Sequence, residues 1–227
     1  VYQKRTGRDD MFYAAQNLVY MKEDVVDSVG PWVWASSDIH GWTGPKEDWE
    51  YCFKNKLLEH VPPEKRGTVV QAGGNMGMYP RLLSDIFKKV YTFEPDPVNF
   101  HCLVANCQKS NIVKMNAALG YKHEMVRVSV EPFHDWETNY GVRVVVPNGE
   151  TIVPTIRIDD LALDHCDLIM IDTEGYELNI LKGAVNTLEN FKPVVFAEFA
   201  DPCIPYMQSF GYSVVDRAAG DLIFAAK

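Results

Sequence analysis

The chain has 227 residues, with 22 Lys and Arg against 31 Asp and Glu, and a formal net charge of −9. Its 47% apolar, 12% aromatic and 23% charged residues exclude a disordered or fibrous chain and suffice for one core with an extension. The acidic balance argues against broad electrostatic binding of DNA or RNA, which needs Lys and Arg at the phosphates, but leaves room for a nucleotide-sized ligand.

Five cysteines (Cys52, Cys102, Cys107, Cys166, Cys203) make an odd set without a CxxC pair, so neither a disulfide scaffold nor a zinc knuckle is expected. A reducing, cytoplasmic setting follows as the expectation. No apolar run approaches the roughly 18–20 residues that span a bilayer. The stretch after Lys4, Arg5 and Arg8 is broken by Gln16 and Asn17, against a secretory signal.

Residues 1–66 hold 11 acids, 9 bases and four of the five tryptophans (Trp32, Trp34, Trp42, Trp49). Residues 67–227 hold 20 acids and 13 bases, and the Pro62-Pro63 stretch reads as the boundary between the two parts. The first part is expected to be a mostly helical cap. Helices are predicted from Asp10 to about Lys22 and from Pro45 to about His60, with an aromatic loop across Pro31–Trp42 between them.

From residue 68, short β-branched runs alternate with helical patterns, as in βαβ units on a mostly parallel sheet. Thr68–Ala72 is the first strand, followed by Gly73-Gly74-Asn75-Met76-Gly77 and a helix to about Lys89. Val90–Glu94 is the second strand, with a helix across about 97–109, and the third lies near Ile112–Ala117. Asn148-Gly149, suited to a tight turn with positive φ, predicts a hairpin of Gly141–Val146 with Glu150–Ile158. Asp167–Ile171 is the fourth parallel strand. Leu178, Leu181, Val185 and Leu188 then share one face of a single helix. Pro193–Phe199 is the fifth strand. Tyr212–Asp216 and Asp221–Ala226 close the chain as a hairpin, so seven strands are expected with the last reversed.

The glycine segment lies between a strand and a helix, where a ligand meets helix N-terminal amides and close backbone approach needs glycine. Glu94, 21 residues after Gly73, ends the next strand, where an acid commonly accepts hydrogen bonds from ribose hydroxyls. The dinucleotide pattern GxGxxG fails because Ala72 replaces its first glycine, and no Lys-Ser or Lys-Thr follows to make a P-loop. The terminal antiparallel hairpin favours a class I methyltransferase sheet over a nicotinamide-binding one.

Val70-Gln71-Ala72-Gly73-Gly74-Asn75-Met76-Gly77, Phe93-Glu94-Pro95-Asp96-Pro97 and Asn116-Ala117-Ala118-Leu119-Gly120 together resemble the cofactor motifs of the FkbM family of S-adenosylmethionine-dependent methyltransferases. Ile171-Asp172-Thr173-Glu174-Gly175-Tyr176-Glu177, Leu181-Lys182-Gly183 and Phe196-Ala197-Glu198-Phe199 are similar to its second signature. The resemblance covers about 68–200. It implies a Rossmann-like α/β fold and transfer of a methyl group to a hydroxyl of a sugar or other small metabolite. It also implies that Gly73, Asn75 and Gly77 cradle the methionine portion, that Glu94 holds the ribose, and that Pro95 and Ala117 flank the adenine. Asp172 would face the methionine amino group or the acceptor. Gln71 stands where the family has an acid, so its expected cofactor contact carries no charge, and a non-catalytic nucleoside-binding module is the alternative function.

O-methylation of an alcohol needs a base, or a metal that lowers the hydroxyl pKa. Asp172 and Glu174 are the leading base candidates, with Glu198 a third and His40, among the tryptophans, another. A divalent metal is chemically compatible with these carboxylates but none is predicted. Residues 159–177 carry seven acids and no Lys or Arg. That crowding points to a neutral or hydroxyl-bearing acceptor, small molecule or glycan, since an anionic one would be repelled unless a metal intervened; neither nucleic acid nor membrane is expected as partner.

Overall fold

The computed structural model describes residues 26–29, 32–35, 56–130, 141–218 and 220–226. Strands β1 (Val26–Val29) and β2 (Trp32–Ala35) pair antiparallel. The aromatic loop predicted there therefore begins as a hairpin, with Trp32 and Trp34 on a strand. Val33 N–H donates to Asn106 Oδ1, and Asn106 Nδ2 returns a bond to the Val33 carbonyl, both at 2.8 Å. This two-way bond fastens the hairpin to the body. The helix predicted over Asp10–Lys22 lies outside the described residues. Of that predicted over Pro45–His60, the end is described, with a short turn at Leu58–His60.

The elements that follow are β3 (Thr68–Ala72), α1 (Met78–Ile86), β4 (Lys89–Phe93), α2 (Pro97–Asn106), β5 (Ile112–Met115), β6 (Ala118–Leu119), β7 (Met125–Val130), β8 (Arg143–Val145), β9 (Thr151–Ile156) and β10 (Leu168–Ile171). Then come α3 (Glu177–Lys182), α4 (Val185–Phe191), β11 (Val194–Ala197), α5 (Ile204–Ser209), β12 (Tyr212–Ala218) and β13 (Asp221–Ala226).

Seven strands form the main sheet in the order β12-β13-β11-β10-β3-β4-β5, with β13 antiparallel to both neighbours and the other pairings parallel. Alternate residues of the central strands enter two cores. Val70, Ile169, Ile171 and Val195 face one side with Leu181 and Leu188, while Val69, Leu168, Met170 and Phe196 face the other with Leu83 and Leu103. Burial on both faces explains why these strands read as continuous apolar runs. The chain order reverses between β3 and β10, and the carboxyl ends there open a crevice, the usual place for a ligand in such sheets.

Two sequence expectations are corrected. Strands β8 and β9 do not pair with each other; β7 lies between them and is antiparallel to both, in a second sheet ordered β6-β9-β7-β8. The turn at Asn148-Gly149 forms, with Gly149 N–H 3.4 Å from the Val146 carbonyl, but it carries the chain across β7. A Cβ at Gly149 would lie 2.5 Å from the Val128 carbonyl oxygen, so the crossing demands glycine. The single helix expected over 178–188 is also divided. Gly183 presses on the backbone of Gly120, where a Cβ would meet its carbonyl oxygen at 2.0 Å. Beyond this break, Asp159 accepts from Asn186 N–H and Thr187 N–H and so satisfies the start of α4.

Candidate active site

The crevice is a cavity of about 800 Å³, counting the space open to solvent, at the carboxyl ends of β3, β4 and β10. The glycine loop forms one wall. Gly73 (φ 81°) and Gly74 both donate to the Phe93 carbonyl, drawing the loop against β4. A Cβ on Gly73 would sit 1.8 Å from the Asp172 carbonyl oxygen, so no other residue lets β3 and β10 approach this closely. Gly77 (φ 100°) stands at the start of α1, packed on α2. Asn75 adopts φ 46° and its Oδ1 receives the Met76 N–H at 2.6 Å.

Glu94 is buried at the cavity floor, 3% exposed. Its two oxygens accept from Asn75 N–H at 2.7 Å and Asp96 N–H at 2.8 Å. Burial above all, and then the Asp96 charge, pushes its pKa up to about 8, although those two N–H groups and Arg143 oppose the rise. Asp96 is the N-cap of α2, accepting from Val98 and Asn99 N–H, and its other oxygen takes Arg143 Nε at 2.8 Å. Both partners of this ion pair are about nine-tenths buried. It ties the second sheet to the turn after β4.

Asp172 and Glu198 follow β10 and β11, whose last paired residues are Ile171 and Ala197; Asp221 begins β13, where Ala197 is opposite Leu222. The three carboxyls thus stand side by side across neighbouring strand ends. Burial raises the pKa of Asp172, against the lowering effect of a hydrogen bond from Glu198. Glu198 is raised by burial, then by the Asp172 hydrogen bond and charge, then by Glu174 and Asp221. Burial and the Asp172 charge push Asp221 up to about 6. Oε2 of Glu198 is buried without a hydrogen-bond partner among the described residues. Burial thus raises both carboxyls and favours one proton held between them.

Of the residues expected at the site, Gly73, Asn75, Glu94, Pro95, Asp172 and Glu174 line this cavity. Gly77 stands behind the loop, and Ala117 is buried beneath the lining, which is made instead by its neighbours Ala118 and Leu119. Gln71 is fully buried and outside the lining. Its Nε2 donates to the Ala72 and Gly73 carbonyls at 3.1 and 2.7 Å, and its Oε1 accepts from Thr92 Oγ1 at 2.5 Å. Gln71 braces the loop from within rather than facing the cavity. A carboxylate has no N–H to give those carbonyls. His40, Trp42 and Trp49 lie outside the described residues. Trp32 and Trp34 pack with Met76, Met78 and Cys102, and the Arg81 guanidinium lies 4.5 Å from the Trp32 ring centre.

The acids of 159–177 do not form one field at the site. Asp172 and Glu174 line the cavity, whereas Asp159 caps α4, Asp160 binds Arg157, and Asp167 receives Gly67 and Thr68 N–H. Glu177 holds the loop before α3 through Thr173 Oγ1 and Gly175 N–H. Arg143 also lines the cavity, and Val128, Val145 and Tyr176 join it there. These additions come mostly from the second sheet, whose strand β7 carries the alternation Val126, Val128 inward against Met125, Arg127 outward. Among the described residues no group of three or more His, Cys, Asp or Glu is placed to hold a metal ion. No helix among them is long and apolar enough to cross a membrane.

Residues 73–214 match the model of the methyltransferase FkbM domain, well over half of the chain. The chain belongs to this family. It is an FkbM methyltransferase, and the family implies S-adenosylmethionine as the methyl donor. Over 187 residues it is 26% identical to the hexuronic acid methyltransferase AglP of Haloferax volcanii, covering 81% of this chain and 70% of that protein. The crystal structure of methyltransferase FkbM from Methylobacillus flagellatus KT superposes with a TM-score of 0.51 at 22% identity. That match covers 70% of this FkbM chain but 44% of the other, so this chain spans less than half of that protein's length.

Proposed function

We propose that this chain methylates a hydroxyl oxygen of a sugar, with a uronic acid or a glycan carrying one as the preferred acceptor class. The observation that carries the reading is Glu94. Its carboxyl is anchored on the glycine loop by Asn75 N–H and on the next turn by Asp96 N–H, at the floor of a cavity of nucleoside size. The residues fit the donor: the glycine loop admits a close backbone approach, Glu94 offers carboxyl oxygens to a diol, and Pro95, Ala118 and Leu119 offer apolar surface to a base. When bound, S-adenosylmethionine supplies a methyl group on a positively charged sulfur.

The chain's own residues then have separable tasks. Gln71 and Gly73 hold the loop's shape. Glu94 takes the ribose hydroxyls. Asp172 stands beside the reacting end, paired with Glu198, and accepts the acceptor's hydroxyl proton. Glu174, on the same cavity wall, is the second candidate base, and His40 a third. Positioning and exclusion of water supply most of the rate, since an oxygen held in line with the sulfur needs little further chemistry. Residues 1–66 act as a cap on the core of 67–227 and complete the acceptor pocket. The hexuronic acid relative supports a sugar acceptor.

Calorimetric titration with S-adenosylhomocysteine, followed by methyl transfer to a glucuronic acid-terminated oligosaccharide, tests the reading. Binding that weakens about 100-fold in Glu94→Gln, with transfer by the unaltered protein, is the expected result. Binding of NAD in place of S-adenosylhomocysteine would overturn it.

A further inference from the structure

Five described residues other than glycine have positive φ, and three of them follow the carboxyl ends of β3, β10 and β11: Asn75 at 46°, Glu174 at 50° and Phe199 at 44°. The other two, Ala162 and Lys192, end a helical turn and α4, where a left-handed residue is a common terminator. Asn75 tolerates this conformation through its short polar side chain, and Glu174 lines the cavity. Neither reason covers Phe199.

A bulky aromatic residue at φ 44° is a strained backbone position. Phe199 is also 60% exposed, the highest value for a large apolar side chain among the described residues. The position therefore combines backbone strain with an apolar ring in water, while glycine would relieve both. A single exposed apolar residue needs no explanation, but an exposed one held in strain beside buried carboxyls does. Phe199 directly follows Glu198, whose N–H bonds the Ile171 carbonyl at 3.0 Å and whose carboxyl interacts with that of Asp172, a residue of the cavity lining.

We propose that Phe199 determines acceptor specificity: its ring is a platform for the apolar face of the acceptor sugar, whose edge hydroxyl it directs to the Asp172–Glu198 pair. A pyranose ring suits both surfaces. Its C–H groups cover one face and pack on an aromatic ring, while its hydroxyls project at the edge toward hydrogen-bonding groups. The proposal deepens, and rests on, the reading that the acceptor is a sugar.

Two variants separate platform from packing. Phe199→Gly removes both ring and strain, and Phe199→Leu keeps the strain while losing the aromatic face. With S-adenosylmethionine and a glucuronic acid-terminated oligosaccharide, both should raise acceptor KM about tenfold with kcat little changed. Calorimetric Kd for S-adenosylhomocysteine should not move in either. Without ligands, Phe199→Gly should raise Tm by about 2–4 °C, whereas Phe199→Leu leaves it unaltered. Unchanged KM in both variants overturns the proposal, as does a fall in Tm for Phe199→Gly or a Kd that weakens along with KM. An unaltered protein that methylates no sugar overturns the functional reading and this inference together; one that methylates it, with variants alike in KM, overturns this inference alone.

Discussion

Replacing Arg143 by methionine removes the cation that fastens the second sheet to the turn after Glu94. The Arg143–Asp96 pair is about nine-tenths buried on both sides, at 2.8 Å. Deleting one partner of a buried pair costs about 3–5 kcal/mol, chiefly because the other charge is left uncompensated. Asp96 keeps the Val98 and Asn99 N–H groups, so a loss near the lower figure, about 3 kcal/mol, is expected. Adding Asp96→Asn should restore most of it. Asparagine still caps α2 and carries no charge, so the double variant should lie within about 1 kcal/mol of the parent. Urea denaturation of the parent, both single variants and the double variant gives the cycle. A cost under about 1 kcal/mol for Arg143→Met, or additive costs in the double variant, would refute the argument. The single variant should also weaken S-adenosylhomocysteine binding, since Arg143 opposes the rise in the Glu94 pKa.

Glu94 also gives the protein a pH signature. Its pKa, pushed up to about 8 from an ordinary 4.5, means that the folded state keeps a proton the unfolded chain releases. Its stabilising effect is complete below about pH 4.5 and is lost as pH rises through 8, with a slope of about 1.4 kcal/mol per pH unit between. Urea midpoints measured from pH 5 to 8 should fall, and Glu94→Gln should flatten that fall. Asp172→Asn should lower kcat by about 10²–10⁴-fold in a methyl-transfer assay. Glu198→Ala, by removing a hydrogen bond that lowers the Asp172 pKa, should move the acid limb of the kcat profile to higher pH. Gln71→Asp should destabilise the fold by about 2–3 kcal/mol in denaturant titrations, because the Ala72 and Gly73 carbonyls lose their donor and a carboxyl is buried.

The central strands were legible because their cause is local: a strand buried on both faces reads as an unbroken apolar run, and Thr68–Ala72 forms where that run lies. The glycine loop and Glu94 were legible for the same kind of reason, since a close approach and a strand-end acid each leave a mark on adjacent residues. Arg143 left none. Its role depends on β8 crossing to Asp96, 47 residues away in sequence. The Asn148-Gly149 signal was real but predicted the wrong partners, because a turn specifies chain reversal and not which strand is received. Strand β7 does carry its own alternation, which marks a strand there but not its partners. The seven acids of 159–177 looked like one field because sequence spacing cannot tell a capping carboxylate from a cavity-lining one. Gln71 marks a similar limit: its identity was plain, but only the Thr92 and loop contacts reveal that it braces the backbone.

Methyl transfer to a sugar hydroxyl is the decisive measurement. The protein is incubated with S-adenosylmethionine labelled in its methyl group and a glucuronic acid-terminated oligosaccharide, and the product is read by mass and by the position of the label. One labelled methyl on a sugar hydroxyl oxygen is expected, greatly reduced by Asp172→Asn and by Glu94→Gln. Label on the carboxyl group or a nitrogen, or transfer unaffected by both substitutions, would contradict that expectation.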